Sequence, residues 1–262
     1  MALAEYAPRG QIGVLTPQAN TTVEPELWAL LPPDMALLNA RLTSDKSTIE
    51  DRLVDYTTKF KDTSAEFANA PLMSIAAACT GASYLIGADA EAALVADITQ
   101  ARGVPFLTAA LASVAALRQM GAARIALLSP YPDSLNAAST PYWEGHGFEV
   151  VAKAGPALET QAFHPIYAMT GGAVLRAYEE LSQSDADAVL MLGTGMATLR
   201  PLLQGAAMGL KPAMSCNLAL MWAATQGRDW RDLQEAGLAD WQAGTHWNAR
   251  LDMMFPAIPP KG

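Results

Sequence analysis

The chain has 262 residues, of which 51% are hydrophobic and 16% are charged, a balance typical of a folded globular protein and not of a disordered one. Its formal net charge of −9 argues against binding to nucleic acids or to anionic membrane surfaces, so any site for an anionic substrate must be built locally from backbone amides and hydroxyl groups. Two cysteines in so long a chain do not suggest a disulfide framework, which indicates a reducing, cytoplasmic location.

The first half of the chain reads as alternating strands and helices. Its N-terminal sequence holds no long apolar segment, so neither a signal peptide nor a membrane span is expected. A strand over 11–17 is followed by the polar turn Asn20-Thr21-Thr22, which has the chemistry of a helix N-cap. Two interpretations stay open, because Asn20 either caps the helix or donates its amide to a substrate carboxylate. The further predicted elements are a strand over 35–42, an amphipathic helix over 48–69, a helix over 88–101, a strand over 105–107 and a helix over 109–120.

The stretch 74–83 carries the principal candidate for chemistry. A run of small apolar residues leads into Cys79-Thr80-Gly81 and then into a helix-like sequence, a pattern typical of a buried parallel strand followed by a tight turn and a helix. Ligands of open α/β sheets bind at such turns. Because free amides and the dipole at a helix N-terminus favour a thiolate over a thiol, Cys79 is predicted to be the reactive group.

The second half repeats this scheme. Residues 188–198 have the same strand-to-turn form, with Gly193 in the place of Cys79 and Thr-Gly following in both stretches. The segment 12–17 resembles 125–130, and 103–105 roughly resembles 210–212. All α/β units share the order strand, turn and helix, but three matched pairs of segments favour a true repeat. The predicted elements here are helices over 134–146, 169–182 and 199–208, strands over 124–129, 148–151, 187–192 and 212–215, and a long helix that begins near 215.

The repeat predicts an α/β fold of two pseudo-symmetric, flavodoxin-like halves, each a four-stranded parallel sheet flanked by helices. The first half is expected to comprise 1–120 together with 223–262, and the second half 121–222. A pseudo-two-fold arrangement would bring the Cys79 and Gly193 turns face to face across one cleft. This cleft is the predicted active site.

Other candidate groups are less specific. Tyr131 follows a predicted strand, where a tyrosine usually packs but could hydrogen-bond an oxyanion. The irregular stretch 155–165 carries Gln161 and His164, and a single histidine beside a proline is more often a surface or capping group than a base. Cys216 is expected to be a small buried core residue. The sequence shows no metal-ligand cluster, no Gly-x-Gly-x-x-Gly loop and no P-loop, so no cofactor is implied.

Taken together, the turn motifs resemble those of the maleate isomerase and arylmalonate decarboxylase group within the aspartate/glutamate racemase superfamily. The motifs that carry this resemblance are GVLTPQANTT at 13–22, CTG at 79–81, SPY at 129–131, GTG at 193–195 and SCNLALMW at 215–222. The similarity covers nearly the whole chain, and the first and last motifs look most like those of maleate isomerases. The resemblance implies a cleft between two pseudo-symmetric halves, no cofactor, and a homodimer or larger homo-oligomer.

The resemblance also assigns roles to residues. Cys79 matches the nucleophile of maleate isomerases, Asn20 and Tyr131 match carboxylate-binding positions, and Gln161 stands loosely where isomerases have an asparagine. The other positions expected to line the substrate site are Pro17, Thr80, Gly81, Gly193, Thr194 and Gly195. Gly193 departs from the pattern, because racemases and maleate isomerases carry a second cysteine there and the decarboxylases carry their only catalytic cysteine there.

A single thiol limits the chemistry that can be expected. Racemisation needs an acid/base on each face of a carbanion, so it is disfavoured. The first expectation is cis–trans isomerisation of maleate or a close analogue, in which Cys79 adds to the double bond, the new single bond rotates, and elimination follows. The runner-up is a malonate-type decarboxylase with Cys79 as proton donor. A third possibility is a non-catalytic protein that binds small acids, which would not need a lowered Cys79 pKa.

Overall fold

The computed structural model describes residues 4–156, 165–233, 235 and 237–256. Within these residues the strands are β1 (Gly10–Pro17), β2 (Met35–Leu42), β3 (Leu72–Ala77), β4 (Phe106–Thr108), β5 (Arg124–Leu128), β6 (Glu149–Ala154), β7 (Ala188–Met191) and β8 (Ala213–Ser215). The helices are α1 (Val23–Leu30), α2 (Ile49–Ala65), α3 (Gly81–Ile86), α4 (Ala88–Arg102), α5 (Ala109–Gln119), α6 (Asp133–Gly145), α7 (Gly171–Leu181), α8 (Leu199–Ala207), α9 (Cys216–Ala224), α10 (Leu238–Ala243) and α11 (Asn248–Met254).

The strands form two four-stranded parallel sheets with equivalent topology. The order is β2-β1-β3-β4 in the first sheet and β6-β5-β7-β8 in the second. The predicted architecture of two pseudo-symmetric α/β halves is therefore confirmed. In each sheet the two inner strands are largely buried and apolar, as expected for parallel strands that are covered on both faces.

Two buried helices join the halves at equivalent positions. α5 follows β4 directly and α9 follows β8 directly, and the two helices pack against each other. Each begins with a hydroxyl cap: Thr108 Oγ1 accepts from the Leu111 amide at 3.1 Å, and Ser215 Oγ accepts from the Leu218 amide at 3.2 Å. Small residues and leucines allow both helices to be buried nearly all round, which gives the two halves one shared core.

The C-terminal region packs on both halves and not on the first half alone, where it was expected. α11 packs on α1, and Arg250 Nη1 of α11 donates to the Ala29 carbonyl at 2.7 Å. α10 instead packs on α8 and α9, and Gln242 Nε2 donates to the Ala213 carbonyl at 3.3 Å. In the described part of the chain, no helix has the length and apolar character needed to cross a membrane.

Candidate active site

A cavity of about 50 Å³ lies between the halves, where the inner strands of both sheets end. A space of this size holds a few water molecules. The sequence-predicted residues in its wall are Pro17, Asn20, Cys79, Tyr131, Gly193, Thr194 and Gly195. Thr80 and Gly81 are buried outside the wall, next to Cys79. The expected positions Gln161 and His164 lie outside the described residues.

Cys79 occupies the turn between β3 and α3. Small residues end β3, and the Ala78 amide donates to the Leu15 carbonyl of β1 at 2.9 Å, which fixes the start of the turn. Burial raises the pKa of the Cys79 thiol to about 11, although the backbone amides of Ala82 and Gly81 act in the opposite direction. The amides act in the expected direction, but loss of hydration outweighs them, so the expectation that the helix N-terminus makes Cys79 a thiolate is wrong.

Gly193 occupies the matching turn after β7, in a different backbone conformation. Its φ is +81°, in the region that favours glycine. A Cβ atom at this position would lie 2.6 Å from Pro130 Cγ and 3.5 Å from Tyr131 Cζ. The space that a second thiol would need is therefore filled from the turn after β5. Gly193 is required by the local packing as well as by the backbone.

Asn20 uses both ends of its amide, so the two open interpretations are compatible. Its Oδ1 accepts from the Thr22 and Val23 amides at 2.9 and 3.0 Å, which caps α1. Its Nδ2 donates to Thr194 Oγ1 at 3.2 Å, and Thr194 Oγ1 donates in turn to the Ala78 carbonyl at 2.8 Å. Asn20 thus caps a helix of the first half and presents a donor group beside Thr194 of the second half at the cavity wall.

Tyr131 forms the second cross-cleft contact. Its hydroxyl lies 2.8 Å from Thr80 Oγ1, within hydrogen-bond distance. Thr80 is the residue that follows Cys79 in the chain. Burial raises the Tyr131 pKa well above its ordinary value, so the hydroxyl keeps its proton near neutral pH. A protonated phenol in the cavity wall can donate to a carboxylate or an enediolate oxygen.

Gly195 allows the Tyr167 ring to approach the backbone of the turn closely. A Cβ atom there would lie 2.4 Å from Tyr167 Cε1. The Gly195 carbonyl accepts from Thr22 Oγ1 at 2.8 Å, which ties this turn to the start of α1. Gly195 is therefore needed to let the Tyr167 ring cover the turn.

A buried carboxylate that the sequence analysis did not identify supports the Gly193 turn. Glu26 on α1 accepts from the amides of Thr198 and Leu199, at 2.5 and 3.0 Å, and from Asn217 Nδ2 at 2.8 Å. Asn217 Nδ2 also donates to the Thr194 carbonyl at 3.0 Å. Burial raises the Glu26 pKa, while these hydrogen bonds oppose the shift. The first half therefore holds the loop that follows Gly193.

A second buried carboxylate supports the Cys79 side. Glu91 on α4 accepts from three hydroxyl groups, those of Ser83 on α3 at 2.5 Å, Thr108 at 2.5 Å and Tyr142 on α6 at 2.6 Å. Burial raises its pKa, and the three hydrogen bonds oppose that shift. Because Tyr142 belongs to the second half, Glu91 also links the halves, but through hydroxyl donors only.

One face of α2 supplies a cavity wall that sequence reasoning missed. Ile49, Arg52, Leu53 and Tyr56 line the cavity from this helix, and their spacing places them on one helical face. The opposite side of that wall is completed by Ile166 and Tyr167. The signal in the sequence was a charged residue, Arg52, on the apolar face of an amphipathic helix.

The second cysteine does not line the cavity, although it contacts the Gly193 backbone and the Thr80 side chain behind the wall. Cys216 is 1% exposed and is absent from the cavity wall, as expected for a core residue. Burial raises its pKa to about 12. The described residues also contain no group of three or more histidine, cysteine or carboxylate side chains placed to hold a metal ion.

Comparisons with known proteins agree with this fold. No curated protein matches the chain. Among solved structures, maleate isomerase Iso from Pseudomonas putida S16 has 22% identity over 83% of this chain and 92% of its own, with a TM-score of 0.74. The maleate cis–trans isomerase of Nocardia farcinica, solved as a mutant with a covalently bound succinylcysteine intermediate, has 24% identity over 83% and 92%, with a TM-score of 0.71.

A liganded double mutant of arylmalonate decarboxylase, with one glycine changed to cysteine and one cysteine to serine, has 21% identity over 83% of this chain and 92% of its own, with a TM-score of 0.71. At these identities the likenesses show the fold. The family described as arylmalonate decarboxylase matches residues 12–237, a range that includes every residue in the cavity wall. The chain therefore belongs to the arylmalonate decarboxylase family.

Proposed function

We propose that this protein is a cofactor-independent cis–trans isomerase that uses Cys79 to convert maleate, or a close cis-dicarboxylate, to its trans isomer. The observation that carries the proposal is the cavity itself, in which the Cys79 thiol shares one small space with the donor groups of Asn20, Tyr131 and Thr194. A thiol and a set of carboxylate-binding groups at one cleft are the parts that this reaction needs.

The proposed reaction has three steps. Cys79 gives its proton to solvent water, and the thiolate sulfur forms a bond to one alkene carbon while the electron pair of the double bond moves onto the far carboxylate as an enediolate. Asn20 Nδ2 and the Tyr131 hydroxyl stabilise that charge by donating hydrogen bonds. After rotation about the new single bond, the electron pair returns, the double bond re-forms and the carbon–sulfur bond breaks. No proton or electron is gained or lost overall.

A second candidate, decarboxylation of a malonate, is favoured by one specific observation. With a pKa of about 11, Cys79 is a thiol at neutral pH, and a protonated thiol can donate where a nucleophile would have to ionise first. The bond from the α-carbon to one carboxyl carbon would break, carbon dioxide would leave, and the enediolate would take the Cys79 proton. Water would then reprotonate the sulfur. Because Gly193 offers no donor, an enediolate with a prochiral carbon would be protonated from the Cys79 side only and give one enantiomer of the product.

The experiment is to incubate the protein separately with maleate and with phenylmalonate and to follow both by proton NMR, with the Cys79→Ser variant as control. Cysteine-dependent appearance of fumarate supports the isomerase. Cysteine-dependent appearance of phenylacetate, without fumarate, supports the decarboxylase and overturns the isomerase. A lowered Cys79 pKa would have favoured an enzyme over a binding protein. Because the pKa is raised, the measurement of turnover has to distinguish these two possibilities. Binding of these acids without turnover overturns both reactions.

A further inference from the structure

Arg52 is a cation in the wall of the cavity that contains Cys79. It lies in the first turn of α2 and is half-buried between Ile49 and Leu53 of the same helix face. The sequence suggested that an anion site would have to rely on backbone amides and hydroxyl groups. The fold instead brings a guanidinium group to the site.

The Arg52 guanidinium makes few contacts with the described residues. Its Nη2 lies 3.4 Å from the Lys46 carbonyl, a long contact, and its Nε is buried with no hydrogen-bond partner among those residues. Among the described residues it forms no ion pair. A buried donor without a partner is costly unless a ligand satisfies it.

Arg41 provides a contrast within the same region. Its Nη1 donates to the carbonyls of Pro17 and Asn20, at 3.3 and 3.2 Å, and its Nη2 forms an ion pair with Glu24. Arg41 is therefore engaged by contacts that hold the first turn of the site. Arg52 lines the cavity and, among the described residues, has only its long contact with the Lys46 carbonyl.

The position of Arg52 also opposes helix electrostatics. The first turn of a helix favours acidic side chains and disfavours cations, and the neighbouring Glu50 and Asp51 follow that rule. Arg52 does not, so α2 itself gains nothing from its charge. An anion bound in the cavity would supply the missing partner, and the apolar neighbours Ile49 and Leu53 would strengthen the attraction by excluding water.

We infer that Arg52 binds the second carboxylate of a dicarboxylate substrate, while Asn20, Thr194 and Tyr131 hold the first. The protein would then select C4 dicarboxylates over monocarboxylates of the same length. The inference rests on the proposed function for the identity of the substrate. It also favours isomerisation over decarboxylation, because a cation that stabilises a carboxylate in the ground state opposes its loss as carbon dioxide.

The test measures binding of unreactive acids, so that it does not depend on turnover. Isothermal titration calorimetry with succinate and with butyrate compares acids of equal length that differ by one carboxylate. The variants are Arg52→Met, Arg52→Lys and, as control, Lys61→Met. Lys61 lies on the same helix, carries the same charge and forms an exposed ion pair with Asp97, so its removal changes the net charge equally.

Arg52→Met should raise the dissociation constant for succinate about 10- to 100-fold, with Arg52→Lys intermediate, since lysine keeps the charge and loses the planar fork. Butyrate binding and the Lys61→Met variant should remain close to wild type. Equal losses for both acids, no loss for either, or a wild-type protein that does not prefer succinate would overturn the inference. If Arg52→Met fails to fold, Arg52→Gln replaces it.

The two proposals can fail separately. Succinate binding that depends on Arg52, in a protein that leaves maleate unchanged, supports the carboxylate site and removes the isomerase. Maleate turnover with an unchanged KM in Arg52→Met supports the isomerase and removes the carboxylate site.

Discussion

The Cys79 and Gly193 turns occupy equivalent places in two equivalent sheets, yet they are built differently. The Cys79 turn enters α3 at once, so helix amides surround the thiol, whereas the Gly193 turn runs through 194–198 before α8 begins. Gly193 also has a φ of +81° and faces Pro130. A thiol at position 193 would therefore require more than a change of side chain. The backbone and packing of the second turn have no place for it.

The supports of the two turns differ in the same way. Glu26 holds the loop after Gly193 mainly through N–H donors, and Glu91 holds the helix after Cys79 through hydroxyl donors. Amide donors have one direction, while hydroxyl groups can rotate and either donate or accept. The Gly193 turn is therefore the more rigidly specified of the two.

The largest effect should come from substitution in the Cys79 turn. Cys79→Ser should lower turnover at least about 1000-fold, because a hydroxyl is a much weaker nucleophile and acid than a thiol. Cys216→Ser, the matched control, should leave turnover within about threefold of wild type, since its side chain lies outside the cavity wall. Steady-state rates on the substrate found by NMR measure both. A reversal of the two results would place the chemistry at Cys216.

The pH dependence of kcat/KM should separate the two candidate reactions. If Cys79 is the nucleophile, the rate should rise with pH toward its pKa of about 11, by about tenfold per unit, because the thiolate fraction grows in that proportion. If Cys79 is the acid, the rate should stay flat and fall only as the pH approaches 11. Rates measured from pH 6 to 10 show whether kcat/KM rises with pH or stays flat. A bell-shaped profile with a lower pKa would show that another group controls the reaction.

Gly193→Ala should show how firmly the second turn is fixed. Gly121→Ala is the control, since Gly121 has a φ of +70° but no atom within 4 Å of an added Cβ. The control should cost about 1–2 kcal/mol in unfolding free energy, and Gly193→Ala should cost a further 1–3 kcal/mol, roughly, through overlap with Pro130. Urea unfolding measures the difference. Equal costs would mean that Pro130 yields, and Gly193→Cys would then be a practical way to add a second thiol.

The smallest predicted effect compares the two buried carboxylates. Glu26→Gln should lower the unfolding free energy by about 1–3 kcal/mol. One carboxylate oxygen, which accepts hydrogen bonds, is replaced by an NH₂ group that faces the donors of Thr198 or Asn217. Glu91→Gln should cost less, since the hydroxyls of Ser83 or Tyr142 can turn to accept. Thermal unfolding of both variants tests the order. A larger loss for Glu91→Gln would contradict the idea that the Gly193 side is the more rigidly held.

The sequence by itself determined the fold of this protein and the place of the Cys79 turn in it. Short apolar runs that end in Gly, Thr or Pro specify parallel strands and the turns after them, because strand burial and turn geometry are local requirements. The matching of Cys79 with Gly193 followed from the repeat, and the equivalent sheets explain why that match was visible. These features depend on residues that are close together in the chain.

The tertiary structure decided what surrounds that turn. Arg52, Glu26 and Glu91 are charged residues on otherwise buried helix faces, which the sequence displays. The hydrogen-bond partners of Glu26 and Glu91, however, lie 8 to 191 residues away, and Arg52 lines the cavity. The Cys79 pKa follows the same rule, because burial by distant segments outweighs the adjacent amides. Desolvation and packing depend on every segment that covers a group, so local sequence specifies the Cys79 turn and the assembled halves specify its chemistry.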